Sequence, residues 1–237
     1  MSGRRLRRET DEVLVSGGGQ PAYGQLEYAA TMLRAPQRPL ILLPERLADR
    51  GSPVAWDVSP READLTRRHD GLPLGQRIAV AGRVTDVDGR PMREMLIEIW
   101  QANASGRYAH EGDRHPAPLD PNFSGAGRVL TDADGGYRFV TIRPGSYPWR
   151  TQPNAWRPAH IHLSLLGREL SSRLVTQMYF PDDPLLAADP IFQSVRNPDA
   201  RDALIARFDW QTATTEMLGF RFDIVVGGSA AAAAETG

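Results

Sequence analysis

Apolar and polar positions in this chain alternate in short runs broken by turn residues, a texture that predicts strands rather than long helices. Ile78-Ala79-Val80 and Val84 precede Asp88-Gly89, and the run Met95 to Trp100 follows it, which predicts a β-hairpin. A second pair of runs, Val129-Leu130 and Tyr137 to Ile142, flanks Asp132-Ala133-Asp134-Gly135-Gly136. His160 to Leu166 and Leu174 to Phe180 read as two further strands, and Phe222 to Val226 as a last one. One helix is signalled, with Asn197 as N-cap, Pro198 at the first helical position, and Ala200 to Phe208 carrying Leu204, Ile205 and Phe208 on one side. The expectation is an all-β fold, an antiparallel β-sandwich with few short helices.

Residues 1–74 lack this periodicity. Gly17-Gly18-Gly19, Pro36, Pro39, Pro44, Pro53, Pro60 and the charged run Arg61 to Asp70 mark them as an irregular N-terminal arm that packs on something larger. The domain is expected over residues 75–226, and residues 227–237, with Ala230 to Ala234, are expected to be a disordered tail.

Composition removes whole classes of function. With 28 basic against 29 acidic side chains, no surplus of positive charge is present to neutralise phosphates, so nucleic acid is not an expected partner. The chain has no cysteine, which excludes disulfides, thiolate nucleophiles, Cys-ligated zinc and iron–sulfur clusters. His, Tyr, Asp and Glu remain as metal donors. The most apolar window, Pro39 to Pro44, is far shorter than the roughly 20 residues of a membrane-spanning helix, so no membrane is expected. Arg4, Arg5, Arg7 and Arg8 are followed by Glu9, Asp11 and Glu12 where the apolar core of an export signal would lie, and a cytoplasmic location is expected.

The densest cluster of reactive side chains lies between Tyr147 and His162, with two of the five histidines. Side chains two apart on a strand share a face, so His160 and His162 would project together, about 6 to 7 Å apart, with Ile161 on the opposite face. Such a pair can hold one ion; it also suits two histidines that are merely hydrogen-bonded. No carboxylate sits at a facial-triad spacing from it, so further donors must come from elsewhere. Tyr108 and Tyr147 are candidates, each in a Gly- or Pro-rich loop, because a trivalent metal favours the phenolate. For a tyrosine taken singly, a half-buried aromatic with a hydrogen-bonded hydroxyl is the commoner role.

Several segments carry a resemblance that goes further. They are Gly71-Leu72-Pro73-Leu74-Gly75, Ala81-Gly82-Arg83-Val84, Glu98 to Asn103 with Gly106-Arg107-Tyr108, Ala117 to Phe123, Arg143 to Arg150, Trp156 to His162, and Thr176 to Phe180. Over residues 71–226 the chain resembles the intradiol ring-cleaving dioxygenases, and among them the β chains of two-chain members. The resemblance implies one Fe(III) per chain, held by Tyr108, Tyr147, His160 and His162, with Tyr147 the ligand that substrate displaces. It implies that Arg157 and Gln177 flank the bound ring, that Trp149 and Ile191 wall the pocket, and that Tyr28 helps to hold a substrate carboxylate. His115 departs from the tyrosine expected after Asp113-Arg114. The implied reaction is intradiol cleavage of 3,4-dihydroxybenzoate by O2 in aromatic catabolism, and the implied partner is a homologous α chain in a larger αβ assembly. The competing readings are an enzyme for catechol or hydroxyquinol, and a non-catalytic sandwich subunit.

Overall fold

The structure is a computed structural model that describes residues 56–148, 155–168, 170 and 173–226. Two sheets face each other across one apolar core. The first is centred on β1 (Arg77–Asp86), which runs antiparallel to β4 (Gly136–Ile142) on one side. On its other side β1 pairs in parallel with β10 (Leu218–Arg221) and then β11 (Ile224–Val226), and β9 (Arg207–Phe208) extends the sheet beyond β10. The second sheet is antiparallel throughout, in the order β3 (Ala126–Leu130), β2 (Leu96–Trp100), β7 (His160–Leu166), β8 (Leu174–Tyr179). A two-residue ribbon, β5 (Tyr147–Pro148) with β6 (Trp156–Arg157), stands apart from both.

The core takes one face of each strand, as period-two patterning requires. Ile78, Val80 and Val84 of β1 meet Ile97 and Ile99 of β2, and Ile161, Leu163 and Leu165 of β7. The expected sandwich is therefore observed, antiparallel except along β1. The described end of the arm also belongs to it: Leu65, on a 3-10 turn (Leu65–Arg67), is fully buried in the core. The preceding turn, Pro60–Ala63, is closed by a Ser59/Glu62 capping box, and Glu62 grips Arg128 of β3 through Nε at 2.7 Å and Nη2 at 3.0 Å.

Three expectations need correction. Asp88-Gly89 does make a turn, with Gly89 at φ 80° and Met92 N donating to the Val84 carbonyl, but it does not close a hairpin. Beyond the isolated Thr85–Pro91 bridge the chain crosses to the other sheet, so β1 and β2 face each other across the core rather than pairing. The helix expected to reach Phe208 stops early. Asn197 caps it as read, accepting from the Asp199 and Ala200 amides, yet α2 covers only Pro198–Asp202. Tyr179 N donates to the Leu204 carbonyl and Ala206 N to that of Tyr179, so Leu204 to Ala206 is drawn out along β8 and Arg207–Phe208 joins β10. Third, the last strand starts at Ile224 rather than Phe222, and an unexpected strand, β10, precedes it. At Phe222 the chain steps between them, and Gly82 leaves the room: a Cβ there would collide with the Phe222 carbonyl oxygen.

The helix before α2, α1 (Pro190–Gln193), is capped by Asp189, whose carboxylate accepts from Phe192 N. Among the described residues no helix is long and apolar enough to cross a membrane.

Candidate metal centre

The second sheet turns its other face away from the core, and there Trp100, His162 and Gln177 lie side by side across β2, β7 and β8. The next row pairs His160 with Tyr179. His160 and His162 thus share one face while Ile161 enters the core, as the spacing predicts. Their ring centroids are 4.8 Å apart, and both rings are buried. Trp100 stacks flat on His162, with 4.8 Å between centroids and 3° between planes.

Two loops bring phenols to this face. Asn103 organises the first: its Oδ1 accepts from Ser105 N, Ser105 Oγ and Arg107 N, and its Nδ2 donates to the Pro118 carbonyl. Asp113 then receives the Tyr108 amide at 2.9 Å. The second loop is laid against the first, with the Gly145 amide donating to the Asn103 carbonyl. Gly106 (φ 79°) and Gly145 face each other closely; a Cβ at Gly106 would collide with the Ser146 carbonyl oxygen, and one at Gly145 with the Ala104 carbonyl oxygen. Tyr108 and Tyr147 thereby leave a single rigid unit, their rings edge to face at 5.4 Å. Tyr147 lies 5.3 Å from His160 and Tyr108 lies 6.5 Å from His162, centroid to centroid, which closes a circuit of four rings.

Ribbon β5–β6 delivers the charged neighbour, because Tyr147 and Arg157 are register partners across it. Arg157 is fully buried. Its Nη1 lies 3.3 Å from Tyr147 Oη and 3.0 Å from His160 Nε2, and Tyr147 Oη itself lies 3.1 Å from that nitrogen. Nη2 donates to Gln177 Oε1 at 2.7 Å and to Tyr179 Oη at 3.2 Å. Nε and Nη2 fork onto the two oxygens of Asp189, at 3.3 and 3.0 Å.

Protonation states follow. His160 Nδ1 lies 2.7 Å from the Pro158 carbonyl, which can only accept, so the proton sits on Nδ1 and Nε2 presents its lone pair. Burial, then the adjacent Arg157 charge and then His162, hold this imidazole well below the ordinary histidine pKa, so it is neutral. Burial acts against the charge on Arg157, but Tyr147, Tyr179 and Asp189 outweigh it and keep the guanidinium well above its usual value.

Among the described residues no three His, Asp or Glu side chains converge on one point, so an ion at the histidine pair would need the phenols as its other donors. Two imidazoles with two phenols, dianionic once both phenols ionise, make a hard donor set suited to a trivalent transition metal. A carbonyl-anchored imidazole is also the usual outer support of a metal ligand.

The profile of the family described as "Dioxygenase" matches residues 51–228, and that described as "Protocatechuate 3,4-dioxygenase beta subunit N terminal" matches residues 16–46. The protocatechuate 3,4-dioxygenase beta chain of Burkholderia cepacia is 57% identical over 213 residues, which covers 88% of this chain and 90% of that one. The chain belongs to the intradiol ring-cleaving dioxygenases. The alpha chain of Pseudomonas putida protocatechuate 3,4-dioxygenase is 31% identical over 159 residues, covering 65% of this chain and 73% of that one. In fold, this intradiol dioxygenase is similar to the solved 3-chlorocatechol 1,2-dioxygenase of Rhodococcus opacus 1CP, with TM-score 0.55, 23% identity, and coverage of 84% and 77%.

Of the residues singled out from the sequence, Tyr108, Tyr147, His160, His162, Arg157 and Gln177 come together in this dioxygenase. Ile191 is buried in α1, two residues past Asp189. Tyr28 and Trp149 lie outside the described residues. Sequence reasoning passed over Tyr179 and Asp189. Strand alternation could have found Tyr179, which is two residues from Gln177 and so on its face. Asp189 before Pro190 signalled only a helix cap.

Proposed function

We propose that this chain cleaves 3,4-dihydroxybenzoate between its two hydroxyl-bearing carbons, consuming O2 and placing both oxygen atoms in 3-carboxy-cis,cis-muconate. The convergence of two phenols and two imidazoles on one buried sheet face carries the reading, and the 57% identity to a protocatechuate 3,4-dioxygenase beta chain supports this substrate over catechol or hydroxyquinol. Tyr108, Tyr147, His160 and His162 would hold Fe(III). When bound, the ion would supply a Lewis acid for the two catechol oxygens and make the ring reactive toward O2.

The remaining work falls to side chains. Tyr147 would be one of the residues holding the ion, and its Oη, as a phenolate, would take a proton from a substrate hydroxyl. Arg157 Nη1, beside that oxygen, stabilises its negative charge and the charge that develops on the ring. Gln177 and Tyr179 steady the guanidinium from the β8 side, and the burial of all three excludes water. Trp149 and Ile191 are assigned to the pocket wall and Tyr28 to the substrate carboxylate, by resemblance. A homologous α chain, with which this chain would form αβ units, is the proposed partner; likeness to both a beta and an alpha chain supports it.

The test is a visible spectrum of the chain co-expressed with its α partner, before and after anaerobic addition of 3,4-dihydroxybenzoate, with catechol as control. A tyrosinate-to-iron band that shifts with the acid and hardly with catechol is expected. An equal response to both favours a catechol-type enzyme. A colourless protein that takes up no iron on reconstitution sinks the enzymatic reading and leaves a non-catalytic subunit.

A further inference from the structure

Arg157 meets three groups on the β7–β8 face, but its anionic partner comes from elsewhere. Asp189 lies at the end of the segment that follows β8, at the start of α1, and is completely buried. Its carboxylate engages Nε and Nη2 together, the edge of the guanidinium that faces away from Tyr147 and His160. Oδ2 also accepts from Phe192 N at 3.3 Å and lies 3.4 Å from Tyr179 Oη. One carboxylate thus caps a helix and fixes a buried cation.

This geometry determines how the guanidinium is turned. A two-point fork on a planar group leaves little rotational freedom, so with Nε and Nη2 held by Asp189, Nη1 is presented to Tyr147 Oη and His160 Nε2. Gln177 and Tyr179 are neutral and both contact Nη2 alone, so neither sets that orientation. We propose that Asp189 is a positioning residue for ring cleavage: through its buried ion pair it aims Arg157 Nη1 at the Tyr147 oxygen and ties that aim to α1, the helix bearing Ile191. The inference rests on the role given to Arg157 above.

Asp189→Asn isolates the effect, because asparagine caps a helix as well as aspartate and nearly matches it in shape. What it removes is the charge. Steady-state kinetics of the αβ complex should show kcat lower by about tenfold to hundredfold, as for other outer-shell supports, with KM for 3,4-dihydroxybenzoate changed far less. The discriminating measurement is thermal unfolding of chelator-stripped protein in a double-variant cycle with Arg157→Met. Against the native arginine, Asp189→Asn should lower the melting temperature by about 5–15 °C, because a buried charge loses its partner. In the Arg157→Met background the same substitution should raise it, since there the carboxylate is the unpaired group. If Arg157→Met does not accumulate, Arg157→Gln serves the same cycle.

The proposal is overturned if Asp189→Asn leaves kcat unchanged in an active parent, or if it lowers the melting temperature equally in both backgrounds. A parent that is colourless and inactive instead overturns the ring-cleavage reading, and the sign of the melting shift still decides whether the pair exists.

Discussion

Arg157 has five N–H groups and in this fold nearly all of them face a named acceptor. Tyr179 is the least expected of these. Its hydroxyl donates to Gln177 Oε1 at 2.9 Å and receives Arg157 Nη2, and burial first, with Asp189 adding, pushes its pKa up so that it stays a neutral phenol. It therefore braces the direct Arg157–Gln177 contact by bonding to both partners. Tyr179→Phe should cost about 1 kcal/mol of stability in urea unfolding. It should leave the tyrosinate band in place while turnover falls severalfold; a band lost together with turnover would make Tyr179 part of the metal-holding set instead.

At the level of elements, the site depends on two loops zipped together through glycine. Gly106→Ala would demand φ 79° of an L-residue and place a methyl group against the Ser146 carbonyl, so both phenols should lose their common support. A loss of about 2–3 kcal/mol is expected, together with weakened iron retention in dialysis against a chelator; full retention would mean that the loops hold their phenols independently. The same scale shows what a sequence can and cannot carry. His160 and His162 were legible because their relation is fixed by strand alternation within one element. The Tyr108 and Tyr147 loops were legible as Gly- and Pro-rich, but their mutual seating is set by backbone contacts between segments some forty residues apart, and only the family resemblance joined them. Asp88-Gly89 has the chemistry of a hairpin turn, and no local signal distinguishes a turn that returns to its own sheet from one that leaves for the facing sheet. Leu204, Ile205 and Phe208 have helical spacing, yet pairing of Ile205 with Tyr179 and of Phe208 with Phe220 overrides it. Asp189 went unread in the sequence; before Pro190 it carries at most the signal of a cap, and its pairing with Arg157 is tertiary and leaves no mark on nearby residues.

On the scale of the whole molecule, the described end of the arm is joined to the sandwich by charge as well as by Leu65. Arg128, through a direct hydrogen bond, holds the Glu62 carboxyl below its usual pKa. A depressed carboxyl contributes stability that is present above the ordinary value of about 4.3 and disappears as pH falls through the lower folded value. Arg128 is 42% exposed, so screening limits the contribution to about 1 kcal/mol at most. Glu62→Gln keeps the capping box. The variant should thus be less stable than the parent at pH 7 and indistinguishable near pH 3 when both are unfolded in urea. A gap of equal size at both values would assign the effect to packing.

The parallel seating of β10 and β11 on β1 also bears on how the molecule is made. The strand at the centre of the first sheet receives its partners on one side from residues synthesised about 140 positions later, as the bond from Arg83 N to Asp223 illustrates. Until that end of the chain has left the ribosome, β1 presents an open row of amides and carbonyls, a template for mispairing with another nascent chain. Closure of so long a loop is slow on topological grounds. Yield in the cell should therefore respond to growth temperature and chaperone supply more steeply than the stability of the finished fold would indicate.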